Sequence, residues 1–262
     1  MSLSIEAIKA LANRLLAAQD NAQPIAQVSN DHPGMSVADG YAVQAALARL
    51  WTARGDRITG YKAGLTSQVK MKQIGIDTPS FGVLTSAMAR PENTEIAIAA
   101  LIHPRVEAEI AFVMKDDLTG LNVTIDEVLD ATDFVIPAIE VIDSRYQNFK
   151  FDLPSVIADN SSSARYIAGG RPMAPRSLDL RTIGVVMEKN AEVMAVGASA
   201  AVLNHPANAI SLLVRHLTEA GRRLEAGSYV MTGSITEAIP MAPGDTATAR
   251  FQGMGSLSIR FV

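Results

Sequence analysis

The chain has 262 residues, of which 48% are hydrophobic, and its formal net charge is −4. That length allows one large domain or a catalytic domain with a smaller appendage. The acidic balance and the lack of a Lys/Arg cluster exclude a nucleic-acid-binding class. The absence of cysteine excludes disulfides, thiolate nucleophiles and cysteine-ligated zinc. With no signal peptide and no apolar run long enough to span a bilayer, we expect a cytoplasmic protein without a membrane partner.

The first fifty-odd residues predict a helical appendage. Apolar residues recur at helical spacing between Ser4 and Gln19, and Ser4 is suited to be the N-cap. Ser36 and Asp39 resemble a capping box that opens a second helix running towards Arg54. We therefore assign residues 1–56 to a helical N-terminal segment.

The pattern changes after residue 57 to short strand-like stretches separated by glycine, proline and polar turns. Strands are predicted at Ile58–Gly64, Ile96–Ile102, Arg105–Met114 and Phe134–Ile142, at Ser228–Gly233, and in two further runs that end at Val262. Helices are predicted at Val123–Thr132 and after Asn204. Because the elements do not alternate as βαβ units, the pattern favours an α+β fold over a doubly wound sheet. We expect a catalytic mixed β-roll or barrel over residues 57–262.

Three glutamates are the most informative residues. Glu107 and Glu109 stand two apart in a strand-like run, so their side chains project from the same face. Glu140 interrupts a strand that is apolar on both faces, where a carboxylate is costly unless a cation or hydrogen bonds compensate it. Three carboxylates favour Mg²⁺ or Mn²⁺ over zinc. A solvated strand face is the alternative for the first pair.

Other polar residues suit a ligand site, and each has an ordinary structural alternative. Lys62 lies in the middle of a predicted strand, between two glycines that would let a ligand approach the backbone. It could be an electrostatic clamp on an anionic substrate or a Schiff-base nucleophile, and the ordinary alternative is a surface lysine. His103 and Arg105 could bind a substrate carboxylate. Alternatively, His103 is a core histidine and Arg105 an ion-pair partner of a glutamate. The run Asp159–Ser163 is either a ligand-binding loop or an Asx-type turn.

Several stretches together resemble the hydratase/decarboxylase branch of the fumarylacetoacetate hydrolase superfamily, over nearly the whole chain. They are Tyr61–Ser67, His103–Phe112, Glu140–Tyr146, Phe149–Asp152, Ala158–Asn160 and Gly253–Ser256. The resemblance implies a mixed β-roll fold. It also implies a divalent metal, Mg²⁺ with Mn²⁺ as the alternative, held by Glu107, Glu109 and Glu140.

Within that branch the chain is more similar to the decarboxylases than to the 2-oxopent-4-enoate hydratases. The hydratases typically have Asp in a Pro-Asp-Phe-Gly stretch, where this chain has Ser80. His103–Val106 and Phe149–Asp152 are more typical of the decarboxylases, whereas Ser199 and Asn204 stand where relatives usually have glycine. The decarboxylases convert 2-oxo-3-hexenedioate to 2-hydroxypenta-2,4-dienoate and CO₂ in meta-cleavage catabolism of aromatic compounds. A hydratase, a C–C bond hydrolase and a noncatalytic binding subunit are the alternatives.

The resemblance also implies roles for the remaining site residues. Lys62 and Asp159 are the catalytic candidates, with Asp159 orienting its loop or a proton-carrying water. Arg105, Ser162 and His103 are the substrate-binding candidates, and Lys62 and Arg105 would offset the negative charge of the site and substrate. The expected partners are a small oxo-dicarboxylate substrate and a 2-oxopent-4-enoate hydratase, with a homo-oligomer left open.

Overall fold

The computed structural model describes residues 2–67, 71 and 79–262. Its α-helices, numbered here in chain order, are α1 (Ile5–Asp20), α2 (Val37–Ala53), α3 (Ile125–Asp130), α4 (Leu153–Ala158) and α5 (Pro206–Glu219). The first strands are β1 (Ile58–Gly64), β2 (Ser80–Thr85), β3 (Ala89–Arg90), β4 (Glu95–Ile96), β5 (Arg105–Met114), β6 (Thr132–Ile142) and β7 (Ser163–Ala168). The remaining strands are β8 (Gly184–Lys189), β9 (Glu192–Ala198), β10 (Tyr229–Met231), β11 (Ile239–Pro240), β12 (Thr246–Phe251) and β13 (Gly255–Phe261).

The two N-terminal helices begin where their caps predict. The Ser4 hydroxyl accepts a hydrogen bond from the third residue of α1, and Ser36 and Asp39 form a reciprocal capping box at the start of α2. The buried Gln44 amide donates to the Phe81 carbonyl at 2.8 Å and to the Ile157 carbonyl at 2.9 Å. The helical segment is thus hydrogen-bonded to β2 and α4, and the division at residue 56 stays a prediction.

The larger sheet curls into a half-barrel. Its strand order is β2-β1-β10-β5-β6-β7-β3, and β11 pairs with the start of β5. Tyr166 of β7 stacks on Tyr229 of β10 with ring centroids 5.0 Å apart, although β5 and β6 separate those strands in the sheet. Such a contact requires a concave face. The expected α+β fold with a mixed β-roll is confirmed, since β1 pairs parallel with β10 and antiparallel with β2.

A second sheet, of order β4-β13-β12-β8-β9, is built mainly from the C-terminal half of the chain. The strand predicted over Ile96–Ile102 is wrong for most of its length, because pairing with β13 stops at Ile96 and a 3₁₀ turn follows. The helix predicted over Val123–Thr132 is shorter, since Thr132 already begins β6. None of the helices in the described ranges is long and apolar enough to cross a membrane.

Candidate metal centre and active site

The three glutamates meet on the concave face of the half-barrel. Antiparallel pairing of β5 with β6 sets Glu107 directly opposite Glu140, and Glu109 follows two residues along the same face. One carboxylate oxygen from each of the three lies within 4.8 Å of those of the other two. The structure thus brings together the residues that the sequence pattern selected.

This cluster fits a divalent cation. Glu109 and Glu140 are fully buried, and Glu109 Oε2 accepts a hydrogen bond of 2.7 Å from the backbone of Gly233. The other oxygen of Glu109 and Oε1 of Glu140 are buried without a hydrogen-bond partner in the described part of the chain. Burial, reinforced by the charge of Glu140, raises the pKa of Glu109 well above its ordinary value. Oxygen ligands of this kind suit Mg²⁺ or Mn²⁺, which would compensate the buried charge.

Lys62 supplies a positive charge beside the carboxylates. Its Nζ lies 3.0 Å from Glu140 Oε2 and donates to the Ser161 carbonyl at 3.2 Å. Burial alone would lower the pKa of Lys62, but the three glutamates outweigh it and the pKa is raised. A Cβ at Gly82 would lie 3.2 Å from Lys62 Cγ, so glycine leaves room for the lysine stem. A raised pKa favours the charged form of Lys62, which favours the predicted electrostatic clamp over the Schiff-base nucleophile.

The polar loop predicted at residues 159–163 reaches the same region in a strained conformation. Asn160, Ser161 and Ser162 have φ of 51°, 50° and 60°, and left-handed backbone costs about 1–2 kcal/mol per non-glycine residue. The Asn160 side chain bonds both backbone groups of Val83, at 2.8 and 2.9 Å, which fixes the loop against β2. The Ser162 hydroxyl is buried without a partner among the described residues. The substrate-binding role of Ser162 stays a prediction, and this unpartnered hydroxyl is consistent with it.

Asp159 is engaged by Arg145. Its Oδ1 pairs with Arg145 Nε, and its Oδ2 accepts the Arg145 backbone N–H at 3.1 Å. The fully buried guanidinium also donates to the carbonyls of Asp143 and Ser163, at 2.9 and 3.1 Å. These bonds favour the prediction that Asp159 orients its loop over a role in proton transfer. No pattern of individual residues in the sequence singles out Arg145, although it lies in the Glu140–Tyr146 stretch that carries the resemblance.

His103 and Arg105 share an aromatic neighbour at the start of β5. The Arg105 guanidinium carbon lies 4.5 Å from the centroid of the Phe149 ring, and the His103 ring lies 5.0 Å from the same centroid. The ion pairs of the described residues do not include Arg105, so the alternative of a glutamate partner is not observed. Burial lowers the pKa of His103. Its Nε2 atom is buried without a hydrogen-bond partner among the described residues. Both side chains have polar atoms available to a substrate.

Sequence reasoning also missed residues that border the cluster. A cavity of about 430 Å³ beside Glu107 is lined by hydroxyl groups, including that of Thr236, whose Oγ1 is buried without a partner in the described ranges. The hydroxyl of Tyr229 is likewise buried without a partner in those ranges. Burial, reinforced by Tyr166 and by the charges of Glu109 and Glu140, raises the pKa of Tyr229 well above its ordinary value. Single Thr and Tyr residues carry no motif, so no sequence signal identifies them.

The fold and this buried carboxylate site define a class of metal-dependent enzymes. Residues 58–262 match the family described as fumarylacetoacetate (FAA) hydrolase C-terminal, and the chain belongs to that family. It is 50% identical over 261 residues to 4-oxalocrotonate decarboxylase of Pseudomonas sp. strain CF600, with 100% of this chain and 99% of that protein covered. It is 39% identical over 258 residues to 2-oxo-hept-4-ene-1,7-dioate hydratase of Escherichia coli, with 96% and 97% covered.

The structure is similar to that of 4-oxalocrotonate decarboxylase from Pseudomonas putida G7, solved in complex with magnesium and adipate. The TM-score is 0.98 at 49% sequence identity, and 100% of this chain and 99% of that chain are covered. The same enzyme, complexed with calcium and acetate, superposes with a TM-score of 0.96. These similarities extend over the whole chain, including the helical N-terminal segment.

Proposed function

We propose that this chain is a Mg²⁺-dependent decarboxylase that converts 2-oxo-3-hexenedioate, also called 4-oxalocrotonate, to 2-hydroxypenta-2,4-dienoate and CO₂. The observation that carries the proposal is the buried cluster of Glu107, Glu109 and Glu140 with Lys62 beside it. Full-length identity of 50% to a 4-oxalocrotonate decarboxylase supports the reaction, and the hydratases are more distant at 36–39%. The reaction belongs to meta-cleavage catabolism of aromatic compounds.

The reaction needs an electron sink. The bond between C5 and the distal carboxyl carbon breaks, its electron pair moves through the former C3–C4 double bond to the C2 oxygen, and a proton there gives the dienol. A Mg²⁺ ion held by the three glutamates would supply a Lewis acid for that oxygen. The glutamates themselves orient the site, because their strands fix two of them opposite each other.

Lys62 and the surrounding residues manage charge. Three carboxylates and one divalent cation leave a formal charge of about −1, which would repel a dianionic substrate. The Lys62 ammonium offsets that charge and keeps a proton at Nζ beside Glu140. Arg105 and His103 bind the distal carboxylate, and Ser162 donates its unpartnered hydroxyl to the substrate. Asp159, through Arg145, positions the loop that carries Ser162.

A 2-oxopent-4-enoate hydratase is the second candidate function, because the hydratases share this fold and much of the sequence. Ser80 disfavours it, since this buried serine contributes a hydroxyl, 3.0 Å from that of Ser161, and no acid for adding water. A C–C bond hydrolase is a third candidate, and the sequence carries no His-Glu pair suited to activating water. An assay with 2-hydroxypenta-2,4-dienoate separates the first two activities. Substantial hydration would reverse their order.

The Schiff-base alternative has a direct test. Borohydride added with substrate should leave the enzyme active, and mass spectrometry should find no adduct at Lys62. Chelation should abolish turnover, and added Mg²⁺ or Mn²⁺ should restore it. Covalent trapping at Lys62 would refute the clamp role.

We further propose a cytoplasmic enzyme that associates with a 2-oxopent-4-enoate hydratase, with self-association as the alternative assembly. The proposed product is a dienol, which tautomerises in water unless the next enzyme consumes it. Association with that enzyme would shorten the time the dienol spends in water. Size-exclusion chromatography with light scattering, on the chain alone and mixed with a hydratase, tests both assemblies. Separate elution of the two proteins at every concentration would refute the complex.

A further inference from the structure

A second cavity, of about 540 Å³, lies between the N-terminal helices and the half-barrel. Its lining includes Trp51 and Arg54 at the end of α2, Arg90 of β3 and Arg165 of β7. Tyr166, the next residue of β7, is paired directly opposite Glu140 and shares its face. Because strand side chains alternate, Arg165 projects from the other face. This cavity is therefore distinct from the candidate metal centre.

Two arginines meet in this cavity. β3 and β7 pair in parallel with Arg90 opposite Ile167, which makes Arg90 and Arg165 diagonal neighbours on one face. The Nη1 atoms of both arginines donate hydrogen bonds of 2.7 Å to backbone carbonyls nearby in sequence. Neither arginine takes part in an ion pair among the described residues. Burial and the nearby charge of Arg90 lower the pKa of Arg165. Two like charges are thus held together without a paired anion in the described chain.

The neighbouring carboxylates are already engaged. Arg54 is held by both oxygens of Asp20, at 3.0 and 2.8 Å. Asp56 lines the cavity, but its Oδ1 accepts a serine hydroxyl at 2.6 Å and two backbone N–H groups. The charge of Asp143 partly offsets that lowering of the Arg165 pKa, but the Asp143 carboxylate already accepts hydrogen bonds from two backbone N–H groups just before β5. The guanidiniums of Arg90 and Arg165 therefore keep donors to spare.

Trp51 adds a third unmet donor. The residue is 5% exposed, and its indole Nε1–H is buried without an acceptor in the described part of the chain. A buried N–H left without a partner costs about 1–3 kcal/mol. An oxygen acceptor in the cavity would remove that cost and also neutralise the arginines.

We propose that this cavity binds a small oxyanion, a carboxylate or a phosphate, through Arg90, Arg165 and the indole N–H of Trp51. Guanidinium groups match the planar or forked geometry of such oxyanions and bind them with charge-assisted hydrogen bonds. The bound anion would connect the end of α2 to β7, the strand that places Tyr166 on the concave face. The site is independent of the reaction proposed above.

The position of Trp51 provides the test, because it is the single tryptophan of the chain. Fluorescence of the full-length protein is followed during titration with phosphate, with citrate, and with chloride at matched ionic strength. We expect a saturable change with phosphate or citrate, with a Kd of about 1 mM or tighter, and none with chloride. The arm that saturates at lower concentration identifies the source of the oxyanion.

Variants establish which groups bind. R165Q and R90Q should each raise the Kd about tenfold, because each removes charge-assisted hydrogen bonds. R49Q removes the same charge from an exposed arginine of α2 outside the cavity lining and should keep the wild-type Kd. W51F, read by calorimetry, keeps an aromatic ring, loses the N–H donor and should weaken binding. The absence of a saturable signal in the wild type, or a wild-type Kd in both R165Q and R90Q, would overturn the proposal.

Discussion

At the scale of residues, the main feature of the site is buried negative charge that needs compensation. Two of its three glutamates are fully buried, and two of their oxygens have no donor within the described chain. Such groups are tolerated where a cation and an ordered lysine compensate them. Lys62 provides one such charge from β1, and a divalent cation would provide the rest. The proposed metal ligands and the proposed substrate-binding residues can therefore be distinguished by mutation.

Replacing a proposed ligand should impair metal binding and turnover together. In E140Q and E107Q a neutral amide oxygen replaces a charged ligand, so Mg²⁺ affinity and kcat should both fall by at least about tenfold. Calorimetry on metal-free protein measures the affinity. E188Q, at a glutamate of β8 that pairs with Arg250, is the control and should change neither quantity. Unchanged Mg²⁺ affinity in both site variants would refute the ligand assignment.

Phe149 should position Arg105. A cation–π contact at a partly exposed site is worth about 0.5–1 kcal/mol, so F149L should raise KM about threefold with little change in kcat. F149Y should restore KM, and F151L tests the same loop without a cation–π contact to Arg105. Inhibition by adipate and by hexanoate distinguishes loss of the Arg105 contact from a general disturbance of the site, because hexanoate lacks the distal carboxylate. In F149L, inhibition by adipate should weaken and inhibition by hexanoate should not. Equal weakening of both inhibitors in F149L would show a general disturbance instead.

At the scale of elements, strand register builds the site and backbone turns complete it. The period-two spacing of Glu107 and Glu109 predicts their common face, and the apolar run around Glu140 predicts its buried strand. The turns were not predictable in this way. Gly233 has φ of 110° and gives its N–H to Glu109, which depends on how β10 ends against Thr66. Such contacts depend on tertiary packing that a linear pattern does not encode.

Gly233 should be indispensable for the metal centre. A Cβ there would lie 2.1 Å from Thr66 Oγ1, so G233A must displace the turn that holds Glu109. We expect weaker Mg²⁺ binding and a lower melting temperature. G227A is the matched control, because Gly227 has φ of 81° and no atom within 4 Å of the added Cβ. The free energy of unfolding of G227A should fall by about 1 kcal/mol because of backbone strain, and its metal affinity should be unchanged. Similar losses of affinity in both variants would contradict this account.

The cap of α2 should make stability depend on acid pH. Hydrogen bonds from the Leu3 backbone and from Ser36 hold the pKa of Asp39 well below its usual value. Its contribution is therefore fully present above about pH 4, the unfolded pKa, and is lost as the pH falls through the folded pKa. D39N should lower the unfolding free energy at pH 7 by about 1 kcal/mol. In urea melts the difference from wild type should shrink below pH 4, whereas a constant difference would contradict the assignment. E6Q, an exposed carboxyl of α1, is the control.

At the scale of the whole molecule, a half-barrel gathers strands that are distant in sequence around one concave face. The α+β class and the two capped helices could be predicted because caps and periodicity are local signals. The curl that stacks Tyr166 on Tyr229 could not, since it arises from twist summed over several strands. For the same reason the meeting of Arg145 with Asp159, and of Arg105 with Phe149, emerges only in the folded chain.

Metal-dependent decarboxylation at the glutamate cluster is testable in one coupled assay with 2-oxo-3-hexenedioate. The assay follows loss of substrate absorbance and release of CO₂, with and without chelator. We predict one CO₂ for each substrate consumed, activity abolished by chelator, and recovery with Mg²⁺. Undiminished CO₂ release in the metal-free enzyme, or substrate consumption without CO₂, would contradict the claim.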